Sequence, residues 1–473
     1  MIAFGAWARV EGLGRDLVWH DEVYTRVFVA GWRADDWRPA LWDGEVHGVE
    51  EVRRLQRLDP ARSTLDTVRG LARDEPQHPP VYYVLARLWT TALGDDVATL
   101  RLASALPGLL AIPAAAWACH VLFGRAGVAG ALLVAASPFF VLYAREAREY
   151  ALWGLLTFAS TAALIRAARA PGVGAWALYA TITTLSLYTS FSTATVLLAH
   201  GVWALFHRRA WPGCVAAWSA ALLAFSPWGL ALLRNLDAFR ASMAWSREIV
   251  VPRGELLGAL AVNASRVILD LGDAGVVAGG ALAAGAVVHA VRRAPRDAGL
   301  MIGALVVVPT LFLLVPDLVS GGIRSISTRY LTPAWVGVVL ALAFSLPRAG
   351  LAGVLGLMLA SHTREVAPWT KGISRRLPEA AAVVNAAPRP LVVGDRERHN
   401  PGNVLALAGL LRDDAELLLF ADAEGHALPR ADGVFLFTPT EQLRRAVEAR
   451  HGVTTRLVVD DLHLQLWEVV QGP

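Results

Sequence analysis

Charge is what this chain has little of. Asp, Glu, Lys and Arg make up only 18% of its 473 residues, against 55% hydrophobic residues and a mean hydropathy of +0.44. Soluble globular domains carry about 25% charge, so an ordinary soluble enzyme is excluded and a chain that crosses a membrane repeatedly is indicated. Cysteine is scarcer still. Cys119 and Cys214 each fall inside an apolar run, which excludes a disulfide framework and makes both thiols small buried hydrophobes. The net charge of +4 comes almost wholly from arginines spread between apolar blocks, so no nucleic-acid footprint is drawn.

Crossing ~30 Å of hydrocarbon takes about 20 apolar residues in a helix. Ten stretches approach this: 97–123, 126–144, 150–168, 174–190, 191–206, 213–233, 274–291, 298–316, 330–346 and 349–361. The fourth and fifth run together, and the last is short. Alternate connections carry Arg125, then Arg166 and Arg169, Arg208 and Arg209, Arg292, Arg293 and Arg296, and Arg348, which marks them as cytoplasmic. The connections between them (9–96, 145–149, 234–273 and 317–329) and everything after 361 are then expected outside. A helix over 80–94 is expected to lie in the interface, with Tyr82, Tyr83 and Trp89 at headgroup depth, because a further span there would invert the arginine pattern. Met1 to Ala8 is too short to span, and is expected to be either the last two turns of a first helix whose beginning lies upstream of this start or a short interfacial segment.

The expected fold is therefore an all-α polytopic membrane bundle of about 10–11 helices over 1–361, with an outer catalytic loop at 9–96. A small extracytoplasmic α/β domain follows at 362–473. In that domain 377–387, 403–412 and 440–450 have helical periodicity, and 391–393, 416–420, 434–437 and 456–467 read as strands. It holds no GxGxxG, P-loop or Cys/His metal set. Asp395, His399, Asp460, Asp461 and His463 are expected as solvated loop or strand-edge groups.

The chemistry-bearing residues gather in the outward connections. Trp19-His20-Asp21-Glu22 places two adjacent carboxylates beside an interface anchor, as a general base or cation ligand would require, although a solvated loop start has the same residues. His78-Pro79-Pro80-Val81-Tyr82-Tyr83 puts a histidine where two prolines open a helix. The turn Arg145-Glu146-Ala147-Arg148-Glu149-Tyr150 packs four charges between two spans. There Arg148 suits a phosphate and Glu146 a second acid, unless the four neutralise one another. Ser327-Thr328-Arg329-Tyr330 presents a cation and a phenol at the outer end of another span.

These pieces, with Arg101-Leu102-Ala103-Ser104, Ser137-Pro138, Ala151-Leu152 and Leu331, follow an order that resembles the polyprenyl-phosphate-sugar-dependent membrane glycosyltransferases of the GT-C fold. That group includes the protein O-mannosyltransferases and the bacterial lipid A aminoarabinose transferases. The likeness is dense over 19–152, with one more anchor at 329–331. It implies a sugar donor linked through phosphate to an isoprenoid, and a protein, glycan or lipid acceptor. Asp21 would be the base of an inverting transfer at the outer face, and His78, Arg148 and Arg329 would hold the donor phosphate. Glu22 and Glu146 would orient these cations or hold a divalent ion, with Tyr82 and Tyr330 in support; metal use stays open, and no nucleotide cofactor is required. A transporter or lipid flippase would instead show ionisable residues at helix midpoints or an internal repeat. A catalytically inactive assembly subunit of the same fold would keep the bundle without the activity.

Overall fold

The computed structural model describes residues 1–124, 127–271, 273–363, 369–396, 401–422, 428 and 433–471. Arg125 and His399, singled out above, lie outside them. The chain divides into two compact units. One comprises Met1–Gly14, Leu71–Ala86 and Ala98–Glu365; the other comprises Arg15–Gly70, Arg87–Val97 and Val366–Pro473.

In the first unit each of the ten apolar stretches is helical over most of its described residues. Val97–Phe123, Tyr150–Arg169, Arg208–Arg234, Gly275–Arg293 and Arg296–Ser320 are each long and apolar enough to cross a membrane. Gly127–Ala136 and Pro138–Ala144 form one further candidate bent by 62°. Val173–Leu187, Thr193–Leu205, Thr332–Ser345 and Arg348–His362 have only 13 to 15 residues, so among the described residues five helices, or six with the bent pair, are long and apolar enough to span, against the expected ten or eleven. The 80–94 stretch is a helix, Val81–Leu93, but Tyr82 and Tyr83 are sealed inside the protein, at 1% and 0% exposure, rather than standing free at headgroup depth.

The 62° bend has a local cause. Pro138 lacks an N–H, so the Val134 carbonyl loses its helical partner, and the break also frees those of Ala135 and Ala136. Arg9, itself fully buried, donates to Val134 (2.7 Å) and Ala135 (3.1 Å), and His362 Nε2 lies 2.9 Å from the Ala136 oxygen. Irregular backbone among apolar helices persists only where neighbours satisfy it in this way. The helix carrying Arg9, Ile2–Val10, comes close because Gly5 faces Ala135; a Cβ on Gly5 would lie 2.7 Å from the alanine Cβ.

The second unit is built on a six-stranded sheet: β1 (Val46–Gly48), β2 (Pro390–Asp395), β3 (Glu416–Phe420), β4 (Gly433–Phe437), β5 (Val453–Asp461) and β6 (Leu464–Gln471), in the order β1-β3-β2-β4-β6-β5. β2 runs parallel to both neighbours and is buried along its whole length, as a central parallel strand should be. The single strand expected over 456–467 is instead the β5–β6 hairpin, which turns at Leu462 and His463. Asp395 is not a solvated edge group: it is fully buried and accepts the Thr440 N–H and hydroxyl, both at 2.8 Å. The segment expected as a separate domain shares its unit with 15–70 and 87–97, and β1 pairs with β3. Alternation sorts the faces. Val392, Leu417, Leu419, Phe435 and Phe437 pack with Val23, Val27, Trp37 and Trp42, while Leu391, Val393, Leu418 and Leu436 pack with Leu443 and Val447.

Candidate active site

Asp21 and Glu22 lie in the first turn of the His20–Ala30 helix, where carboxylates complement the exposed N–H groups. Val23 and Val27 of that helix anchor it in the core of the second unit, which fixes the orientation of its first turn. The His20 N–H donates to Ser374 Oγ (3.2 Å), whose hydroxyl donates to Asn403 Oδ1 (2.6 Å). Asp21 keeps 14% of its side chain exposed, and its Oδ1 is 3.0 Å from His20 Nε2. Glu22 is 1% exposed and lies 3.5 Å from the Lys371 ammonium, itself 2% exposed and donating to the Leu17 carbonyl at 2.8 Å. Glu22 is therefore turned into its unit and its charge is met by a lysine that no local motif marks.

The first unit gathers the cationic candidates. The Arg145–Glu149 turn joins two helices, and within it Glu146, Arg148 and Glu149 are all buried. Arg148 Nη2 lies 3.3 Å from His78 Nε2, and His78 Nδ1 lies 3.2 Å from Glu149 Oε1. A guanidinium only donates, so Nε2 accepts and the imidazole proton sits on Nδ1, directed at Glu149. Arg148 Nε is a further 3.4 Å from Glu149 Oε2. Burial would raise the Glu149 carboxyl, but Arg148 and His78 outweigh it and hold it at about 2, so Glu149 remains an anion between two donors. Behind this set, Tyr82 and Ser104 hydroxyls are 2.7 Å apart and Ser104 donates to the Arg148 carbonyl (3.0 Å), which locks the turn to two helices. Tyr83 sits 6.0 Å from the His78 ring, and burial pushes its phenol well above the ordinary value, so it stays neutral.

Arg329 comes to the same place from 181 residues further along the sequence. Its guanidinium carbon is 6.0 Å from the centre of the Tyr150 ring, and that of Arg148 is 5.9 Å from it. Trp245 and Tyr330 also face Arg329, at 6.0 and 5.3 Å. Two cations thus converge on one aromatic ring with a histidine bonded to one of them, a disposition suited to an anion. Among the described residues no three His, Cys, Asp or Glu side chains are grouped to hold a metal ion.

Residues 77–230, which include His78, Glu146 and Arg148, match the family model for dolichyl-phosphate-mannose-protein mannosyltransferase. Along its length the chain is similar in structure to ArnT from Cupriavidus metallidurans bound to undecaprenyl phosphate, at TM-score 0.57 and 12% identity, covering 99% of this chain and 96% of that one. The chain has the GT-C fold. Other GT-C structures lie further off. The Archaeoglobus fulgidus oligosaccharyltransferase in complex with zinc and sulfate has TM-score 0.48 at 12% identity, covering 89% of this chain and 62% of that one. The mycobacterial arabinofuranosyltransferase AftD has TM-score 0.44 at 16% identity, covering 88% and 38%. No curated protein matches the sequence. Of the residues expected from the sequence, the cluster brings together His78, Arg148, Arg329, Tyr82 and Tyr330. Glu149, Tyr150, Trp245, His20 and Lys371 join the picture only with the structure. Glu149 and Tyr150 stood in the same charged motif as Arg148, whereas nothing near Trp245 or Lys371 in the sequence names their partners.

Proposed function

We propose that this glycosyltransferase moves a sugar from a polyprenyl-phosphate donor to an acceptor hydroxyl at the outer face of the membrane, with inversion. The observation that carries the reading is the convergence of Arg148 and Arg329 on Tyr150, with His78 bonded to Arg148. In the transfer the acceptor oxygen forms a bond to the anomeric carbon as the bond from that carbon to the phosphate oxygen breaks. Asp21 takes the hydroxyl proton, and the departing phosphate keeps the electron pair. One base and one displacement suffice, and that gives inversion. The arginines oppose the charge that grows on the phosphate, and Lys cannot reproduce their planar fork. The outer face follows from the alternation of arginine-rich connections. Trp245, placed beside Arg329, lies in the 234–273 connection, where sugar or acceptor selectivity is expected to reside.

The test is donor affinity and transfer for Arg148→Ala, Arg329→Ala and the double variant, with a panel of radiolabelled polyprenyl-phosphate sugars. Each single loss removes charge-assisted hydrogen bonds of about 1.5–3 kcal/mol, so affinity should fall roughly ten- to a hundredfold, with lysine restoring little. Unchanged affinity in all three folded variants would remove the phosphate site.

A further inference from the structure

We propose that Asp317 and Arg324 are positioning residues for Arg329, a reading that rests on the donor-phosphate site above. Arg329 has no regular element to hold it before the short Thr328–Leu331 turn, since the Arg296–Ser320 helix ends just upstream in two glycines with positive φ, Gly321 (+80°) and Gly322 (+125°). The chain is instead bent back onto the last turn of that helix. Asp317, whose side chain is wholly buried, accepts from Arg324 Nε (2.6 Å) and from the Ser325 N–H (2.7 Å). Arg324 Nη2 also donates to the Gly321 carbonyl at 2.6 Å. One carboxylate and one guanidinium therefore fix residues 321 to 325 as a closed loop.

That loop is tied outward in ways that bear on Arg329. The Ile323 N–H donates to the Ser246 carbonyl (2.9 Å), which seats the segment bearing Trp245, the ring that faces Arg329. Asn263 Nδ2 donates to the Ile326 carbonyl (2.6 Å), and Trp335 Nε1 to that of Thr328 (2.9 Å). A Cβ on Gly322 would come within 2.8 Å of Ser246 O, Arg324 Nη2 and Asp317 Oδ1 alike, so these three meet around a backbone that only glycine permits. Arg324 stands five residues before Arg329: without the pair, the Ile323–Ser246 bond is left to hold 321–325 without the loop closure that sets the register in which Arg329 reaches Tyr150 and Trp245.

The experiment is a double-mutant cycle on the full chain in lipid nanodiscs, titrated with undecaprenyl phosphate as the probe and monitored for thermal unfolding. Asp317→Ala and Arg324→Ala should each weaken binding about tenfold while the unfolding transition is retained. Each loss should add to that of Arg148→Ala but largely vanish in an Arg329→Ala background, because the pair works through Arg329. Full affinity in either folded variant, or a loss that adds to that of Arg329→Ala, would overturn the proposal. If Asp317→Ala does not fold, Arg324→Ala alone carries the test; if neither folds, the pair serves the fold and the assignment to Arg329 falls. Arg148→Ala and Arg329→Ala binding the probe normally would instead sink the phosphate site itself.

Discussion

Asp21 keeps an exposed edge beside His20, whereas Glu22 is closed in against Lys371, so the loss of either carboxylate should be felt in a different measurement. Asp21→Asn should cut transfer by about 10²–10⁴-fold, the scale of a general base, with the unfolding temperature and donor binding near normal. Near-normal turnover would take Asp21 out of the reaction. Glu22→Gln should lower stability by about 3–5 kcal/mol, because it strands a buried ammonium, and Glu22→Gln with Lys371→Met should recover much of that. His47 supplies a pH signature in the same unit. Its Nε2 lies 3.0 Å from Asp43 and its Nδ1 3.2 Å from Glu51. Burial opposes the charged ring, but these two carboxylates overcome it and raise the pKa above the ordinary 6.5. A raised folded-state pKa contributes stability that is complete below the unfolded value and is lost as pH rises through the folded one. Stability should therefore decline above pH 6.5, with a shallower slope in His47→Gln; equal slopes would refute the assignment. At this scale the residue types of the candidate site were legible, because Arg148, His78 and Asp21 stand in compact motifs. Their partners were not, since Lys371 and Trp245 reach Glu22 and Arg329 only through tertiary packing.

Helices were the most readable level, because hydrophobic runs report directly on what must avoid water. Each apolar stretch is a helix, yet four are too short to cross a membrane by themselves, which composition alone hides. The β5–β6 hairpin was missed for a different reason: Leu462-His463 carries no Gly, Pro, Asn or Asp to announce a two-residue turn. The broken pair at Pro138 yields a prediction proper to elements. Arg9→Leu removes the donors to Val134 and Ala135 and should cost about 1–3 kcal/mol for each orphaned carbonyl, whereas Arg209→Leu, at an exposed site, should cost almost nothing. Matched unfolding temperatures for the two variants in detergent would show that the carbonyls find other donors.

For the molecule as a whole, β1 pairing with β3 requires residues 46–48 and 416–420 to lie on one side of the membrane, and the proposed orientation, drawn from the arginine pattern, makes that side the outer one. With Cys119 and Cys214 replaced, cysteines at Ser63 and at Leu462, which is 91% exposed, should both react with an impermeant thiol reagent in intact cells. Reaction only after lysis would reverse the orientation, and reaction at one site alone would contradict the shared sheet. The β1–β3 pairing also has a consequence in time. At about 5–20 residues per second of synthesis, the roughly 370 residues between the partners impose a wait of about 20–70 s. Throughout that interval the segment that bears Asp21 and Glu22 has emerged while the β-strands that complete its hydrophobic core do not yet exist. Nascent chains stalled before residue 416 should therefore expose Trp37 and Trp42 to chaperones and proteases. Asp21, the proposed base, would settle only after those strands are made, so on the proposed function every incompletely translated copy would be inactive.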